Sequence, residues 1–276
     1  MRDIAQVVEA HYTRSGLSEA ILAALSSAGI DPDNIRPADL APLDEFHIRG
    51  REATIELARL LNLSEHDHVL DVGSGLGGPS RTLTAEFGCR VTGIDLTEEF
   101  CRVATMLSQR TGLIDRTEYR HGNALDMPFS DDTFDIAWTQ HASMNISDKG
   151  RLYAEIHRVL KSSGRFAIYD IVAGPGGELH FPVPWAREPS ASFLIQPDEM
   201  RAALDKSGFR VIVWNDVTAL VHDWYRKIHA KPEASTQPAL GRQLILGPDY
   251  PAMARNQGKN LEENRYGLLQ AIVEKH

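Results

Sequence analysis

The segment Leu70-Asp71-Val72-Gly73-Ser74-Gly75-Leu76-Gly77-Gly78-Pro79-Ser80-Arg81 constrains the chemistry of this chain most. Glycines at such a turn let the backbone bend sharply and come into contact with a ligand that any Cβ would push away. Asp95 closes the next apolar run, the position from which a carboxylate accepts hydrogen bonds from ribose hydroxyls. Together these residues describe a nucleoside site. Gly73, Gly75 and Gly78 followed by Asp95 also satisfy the dinucleotide fingerprint, so a dinucleotide-dependent oxidoreductase is an alternative. Two features point elsewhere. Asp71 stands two residues before the first glycine, where a carboxylate welcomes an ammonium or a sulfonium and repels a pyrophosphate. Residues 1–66 also precede the first expected strand, whereas dinucleotide domains usually begin with it.

The elements that position these residues follow from hydrophobic periodicity. Helical spacing runs from Ile4 to Tyr12, from Leu17 to Leu25, and from about Gly50 to Leu61. Asp31-Pro32 and the prolines up to Pro42 read as a turn and an ordered loop. From residue 66 short apolar runs alternate with helical stretches. The expected strands are 68–72, 91–95, 119–122, 134–138 and 166–172. The helices between them are 78–87, one reaching about Arg110, and 149–160 stopped by Gly164. This alternation implies a parallel sheet with helices on both faces, an α/β doubly wound fold. Residues 173–197 break the rhythm with prolines, glycines, Phe181, Trp185 and Phe193. Helix 198–206 and strand 209–214 restore it. Residues 215–263 read as helical and irregular, and Tyr266–Val273 as a last strand. The organisation expected is an N-terminal helical lid over 1–45 and one domain over 46–276. That domain carries a substrate-cap insertion at about 173–197 and a C-terminal elaboration at 215–263.

Asp71-Val72-Gly73-Ser74-Gly75, Val91-Thr92-Gly93-Ile94-Asp95 and Gly122-Asn123-Ala124 resemble, in order and spacing, class I S-adenosylmethionine-dependent methyltransferases. More narrowly, the chain resembles the small-molecule group of sarcosine/dimethylglycine and phosphoethanolamine N-methyltransferases, with quinone and tocopherol C-methyltransferases as near relatives. The likeness covers residues 44–172. It implies a Rossmann-like sheet of seven strands, the last antiparallel, with the donor over the carboxyl ends of the first, second and fourth strands. By position, the resemblance assigns Gly73, Ser74 and Gly75 to the donor loop, with Asp71 beside it. Asp95, followed by Leu96, goes to the ribose, and Asn123 with Ala124 to the adenine. Phe46-His47-Ile48-Arg49-Gly50 aligns with a segment that touches the methionine end, where the Arg49 guanidinium suits a carboxylate. Gln140 falls near the donor's carboxyl or sulfonium. Asn145 stands where phosphoethanolamine enzymes carry a histidine latched to an N-terminal tyrosine, and Tyr12 is the candidate for that tyrosine.

Trp138-Thr139-Gln140-His141-Ala142-Ser143-Met144-Asn145 follows the fourth strand, at the edge where doubly wound sheets bind ligands. His141 is the candidate acid/base residue, since imidazole accepts a proton near neutrality. It reads equally as a donor that orients substrate, or as packing. His180 and Trp185 in the insertion are weaker site candidates, the indole being suited to a nearby sulfonium. His66 and His68 alternate on one strand without a carboxylate or thiolate to complete a metal set, so no metal is expected.

The chain has 276 residues, 38 of them acidic and 29 basic, for a net charge of −9. That balance and the missing Asn/Asp-Pro-Pro-aromatic string exclude a nucleic-acid substrate. No apolar run is long enough for a secretory signal or a membrane span. Two cysteines are too few for a disulfide framework, and a cytoplasmic monomer or homodimer is expected. The reading that joins these signals is metal-free, in-line methyl transfer from S-adenosylmethionine to a small molecule, an amine nitrogen first, releasing S-adenosylhomocysteine. O- or C-methylation of a phenol, quinol or natural product, and a donor-binding protein without catalysis, are the alternatives.

Overall fold

Seven strands form one sheet in the order β3-β2-β1-β4-β5-β7-β6 in a computed structural model that describes residues 11–12, 16–229 and 239–276. They are β1 (His68–Val72), β2 (Arg90–Asp95), β3 (Thr117–His121), β4 (Phe134–Gln140), β5 (Leu160–Ala173), β6 (Phe209–Asp216) and β7 (Tyr266–Lys275). β7 runs antiparallel to both β5 and β6, and the remaining pairs are parallel. The seven-stranded sheet with an antiparallel last strand is the one the sequence implied. β1 is buried along nearly its whole length, as expected of a strand covered on both faces.

β1 pairs with β2 on one side and β4 on the other, so the chain leaves it in opposite directions and opens a crevice at the carboxyl ends. Helix Gly50–Leu61 covers one face, packing Ala53, Leu57 and Leu61 with Val69, Val91 and Ile136. Helices Lys149–Val159 and Pro197–Lys206 cover the other, through Leu152, Ile156, Met200 and Leu204. A third cluster roofs the crevice. Leu17, Ile21 and Leu25 of helix Leu17–Ser27 meet Phe100 and Leu107 of helix Glu98–Arg110, and Ile245, Leu246 and Met253 from the far end of the chain.

Three local expectations are corrected. The proline-rich stretch is not all loop: Pro37–Asp44 is a helix. Pro37 stands at its start, where a missing N–H costs nothing, and Asp39 accepts from the Arg36 backbone N–H and guanidinium. The third strand is Thr117–His121 rather than 119–122. The helix after β4 stops at Val159, and Gly164 lies inside β5 instead of ending a helix. A Cβ on Gly164 would come within 2.8 Å of the Lys161 carbonyl, so the glycine serves a tight irregularity of the strand. Most of the expected helix from Ile4 to Tyr12 lies outside the described residues, and His11 and Tyr12 are helical. Among the described residues no helix is long and apolar enough to cross a membrane.

Candidate active site

A cavity of about 450 Å³ occupies the crevice, within the size range of small-molecule sites. Its floor comes from the segments that follow β1, β2, β3 and β4, and its roof from Tyr12, Leu43, Phe46, Phe100 and Ile245.

The glycine loop is held by its neighbour strand. Gly73 and Ser74 N–H both donate to the Ile94 carbonyl (2.8 and 3.1 Å), and Gly75 N–H donates to Asp95 Oδ2 (2.8 Å). Asp95 Oδ1 accepts from Thr97 N–H at 2.8 Å, so one carboxylate ties the loop to the start of the following helix. Burial raises the Asp95 pKa, and these backbone bonds oppose the rise. Each oxygen keeps a further lone pair. Gly75 has φ 53°, and a Cβ there would meet nothing within 4 Å, which marks it as the bare surface of the loop. Gly78 serves packing: a Cβ would lie 2.3 Å from the Asp44 carbonyl, so the helix that follows abuts the end of helix Pro37–Asp44.

That abutment brings in a residue the sequence reading missed. Asp44 borders the cavity, is 5% exposed, and accepts at Oδ2 from the buried Arg81 guanidinium at 2.6 Å. Its Oδ1 is buried with no hydrogen-bond partner. Burial raises its pKa, and Arg81 offsets part of that rise. Asp71, expected beside the ligand, instead sits behind the loop. It accepts from Ser80 Oγ at 2.6 Å, does not border the cavity, and is pushed up to about 7 by burial.

Behind the wall lies a buried polar group of residues. Glu45 accepts from Thr54 Oγ1 (2.8 Å) and Thr82 Oγ1 (2.5 Å), and is pushed up to about 7 by burial and by adjacent Asp44. Gln140 Oε1 accepts from Trp138 Nε1 (3.0 Å), which fixes its amide at the cavity edge, with the Thr54 hydroxyl oxygen 3.1 Å away. His47 Nε2 lies 2.9 Å from the Gly50 carbonyl and therefore carries the proton. Burial pushes the His47 pKa down to about 3, so the ring is neutral.

His141 follows β4 with φ 50°, its N–H donating to the Tyr169 carbonyl at 3.0 Å. Its ring stacks on Tyr169 with centroids 5.6 Å apart, and Nε2 is buried without a partner beside the cavity. Burial, His47 and Arg242 hold it well below the usual imidazole range. Tyr12 Oη donates to Asn145 Oδ1 at 3.3 Å, and Asn145 Nδ2 donates to the carbonyls of Trp185 (2.7 Å) and Ala191 (2.8 Å). Asn145 thus joins the N-terminal segment to the insertion.

The structure gathers Tyr12, Gly73, Ser74, Gly75, Asp95, Leu96, Asn123, Ala124, Gln140, His141 and Asn145 around one cavity. Asn123 Oδ1 already accepts from Leu125 N–H (2.9 Å), leaving one lone pair. Arg49 is not gathered. Its guanidinium makes a bidentate pair with Glu56 (2.7 Å twice) and does not border the cavity, because a left-handed φ of 67° directs it along its own helix. His180 pairs with Glu263, and Trp185 is 2% exposed in the core with Nε1 donating to Ser192 Oγ. Among the described residues no group of three or more His, Cys, Asp or Glu could hold a metal ion.

A doubly wound sheet with a bare glycine loop and a carboxylate one strand over is the geometry of a nucleoside site. The chain matches, over residues 70–168, the family model described as a methyltransferase domain. It is 26% identical over 219 residues to the glycine/sarcosine/dimethylglycine N-methyltransferase of Actinopolyspora halophila, covering 79% of this chain and 38% of that protein. The chain spans less than half the length of the curated relatives it matches. Geranyl diphosphate C-methyltransferase from Streptomyces coelicolor superposes with a TM-score of 0.68 at 15% identity, covering 100% of this chain and 99% of that one. The [4+2]-cyclase SpnF superposes with a TM-score of 0.66 at 21% identity, covering 99% and 96%. The fold therefore serves N-methylation, C-methylation and cyclisation, and the reaction must be argued from the site.

Proposed function

We propose that the protein transfers a methyl group from S-adenosylmethionine to the nitrogen of a small-molecule amine and releases S-adenosylhomocysteine. The observation that carries the reading is Gly75 facing open space while its N–H is tied to Asp95, whose two oxygens retain lone pairs for ribose hydroxyls. Asn123 and the Ala124 backbone, with Leu96 beside them, serve the adenine. Ser74 and Gln140 border the other end. The free Oδ1 of Asp44 takes the donor's ammonium, the role first given to Asp71. A carboxylate there also rejects the pyrophosphate of a dinucleotide.

The bound donor supplies an electrophilic methyl on a positive sulfur. The protein supplies alignment: proximity and orientation contribute roughly 7–11 kcal/mol, against about 10²–10⁴-fold for a general base. Both histidines at the cavity are poor bases, His47 at about 3 and His141 well below its ordinary range. A phenol or carbon acid gains little from them, whereas a neutral amine attacks with its own lone pair. His141 Nε2 then orients the acceptor. The Tyr12–Asn145 bond closes the roof and keeps water out.

Calorimetric titration with S-adenosylhomocysteine tests the donor site. The wild type binds, Gly75→Val abolishes binding with the fold retained by circular dichroism, and titration with a nicotinamide dinucleotide stays flat. A wild type that ignores S-adenosylhomocysteine refutes the proposal.

A further inference from the structure

We propose that Lys149 is a positioning residue of this site: its ammonium holds the turn after β4 so that Asn145 can latch Tyr12 across the cavity and retain the donor. The proposal rests on the methyltransferase reading, because the donor is what the latch retains.

Lys149 occupies a place that a lysine should avoid. It is the first residue of helix Lys149–Val159, where the positive end of the helix dipole meets a second positive charge. It is also 7% exposed, and burying an ammonium is strongly unfavourable unless its protons are bonded. All three of them are. Nζ donates to the carbonyls of Ser143 (2.5 Å), Ile146 (2.7 Å) and Phe193 (2.9 Å). The first two lie in the turn after β4, and the third in the insertion. Burial pushes the Lys149 pKa down to about 8, and Asp170 opposes that shift. Capping the helix does not explain the lysine, since Asp148 already accepts from Arg151 N–H at 2.8 Å.

Asp170 of β5 completes the hold. Its Oδ2 accepts from Ser143 N–H at 3.0 Å, so the peptide groups on the two sides of Ser143 are gripped by charges of opposite sign. Phe193 is also held twice: its N–H donates to the Met144 carbonyl (2.8 Å) while its own carbonyl accepts from Lys149. Turn and insertion therefore share one ammonium. Asn145 lies inside this hold, 9% exposed, with Nδ2 engaged by the Trp185 and Ala191 carbonyls of the insertion. That fixes the direction of Oδ1, which accepts from Tyr12 Oη at 3.3 Å. Lys149 itself does not border the cavity, whereas Tyr12 and Asn145 do, so the lysine acts through Asn145.

Release of S-adenosylhomocysteine from the immobilised protein, followed by surface plasmon resonance, tests the proposal. Tyr12→Phe and Lys149→Met are each expected to speed release about three- to tenfold, the range of one hydrogen bond. The double variant is expected to be no faster than the quicker single variant, because both changes open the same latch. A lysine that only stabilised the fold would give effects that multiply. Asp170→Asn, which loosens Ser143 from its other side, repeats the comparison should Lys149→Met not fold. Exposed Lys161→Met is the control, with release unchanged. Wild-type release in Lys149→Met, or rates that multiply in the double variant, overturns the proposal. A wild type that does not bind S-adenosylhomocysteine fails the methyltransferase reading instead, so the two failures are distinguishable.

Discussion

Replacing Asp95 with asparagine changes one oxygen into an amide and nothing else in shape. In the native loop the two carboxylate oxygens accept from Gly75 N–H and Thr97 N–H, each at 2.8 Å. Asparagine offers one acceptor and one donor, so one of those N–H groups loses its partner and faces another N–H. A hydrogen bond to a charged acceptor contributes about 1.5–3 kcal/mol, and a donor hydroxyl of the ribose loses a comparable amount when the charge goes. The Gly75 and Thr97 bonds exist with or without the donor, so the loss in binding is that of the ribose bond alone, roughly 1.5–3 kcal/mol, or about 10–10²-fold in Kd. The lost loop bond falls on stability instead. The native carboxylate is partly buried with a raised pKa, so removing its charge offsets part of the cost of the lost loop bond. Calorimetry with S-adenosylhomocysteine and thermal melts of Asp95→Asn separate the two effects, with exposed Asp115→Asn as the control. A Kd within threefold of wild type would refute the role of Asp95 and the loop geometry with it.

His141→Ala should lower turnover about tenfold or more while leaving donor affinity within a few-fold; an unchanged rate on an accepted amine removes its orienting role. Asp71 is neutral in the folded protein up to about pH 7 but ionises near pH 4 when unfolded, so native stability falls as pH rises between those values. Asp71→Asn should flatten that fall by an amount on the order of 3 kcal/mol, read from urea midpoints at pH 5 and pH 8, and an unaltered pH profile would contradict the burial argument.

The strands were readable because their apolar runs are short, and the glycine loop because only glycines allow that backbone at that place. The cavity floor followed, since it consists of what lies after those strands. Helix Pro37–Asp44 was not readable: its prolines are compatible with a loop or with a first turn, and the Arg36–Asp39 contacts decide between them. Asp71 does not border the cavity, because adjacency in sequence to the glycine loop is not adjacency in space to its bare face. The pleat of β1 turns its side chain toward Ser80, and the carboxyl that borders the cavity beside the loop is Asp44 from the neighbouring segment. Arg49 does not border the cavity: its guanidinium pairs with Glu56, seven positions on, which no pattern announced. Phe46 and His47 stood in a segment already singled out, so that signal was present at segment level. Ile245 reaches the roof only through packing of distant parts of the chain, which no local pattern encodes.

β7 lies between β5 and β6, although it follows both in the chain. While the polypeptide is being synthesised, β6 therefore has no edge to join until residues 266–275 leave the ribosome, and β5 waits with an open flank. The parallel half carrying the nucleoside crevice can assemble early, but the sheet closes only by inserting its most distal strand into a waiting gap. That order leaves the long β5 exposed to pairing with other nascent chains, and makes the segment from Tyr266 onward the step that commits the domain to its native form.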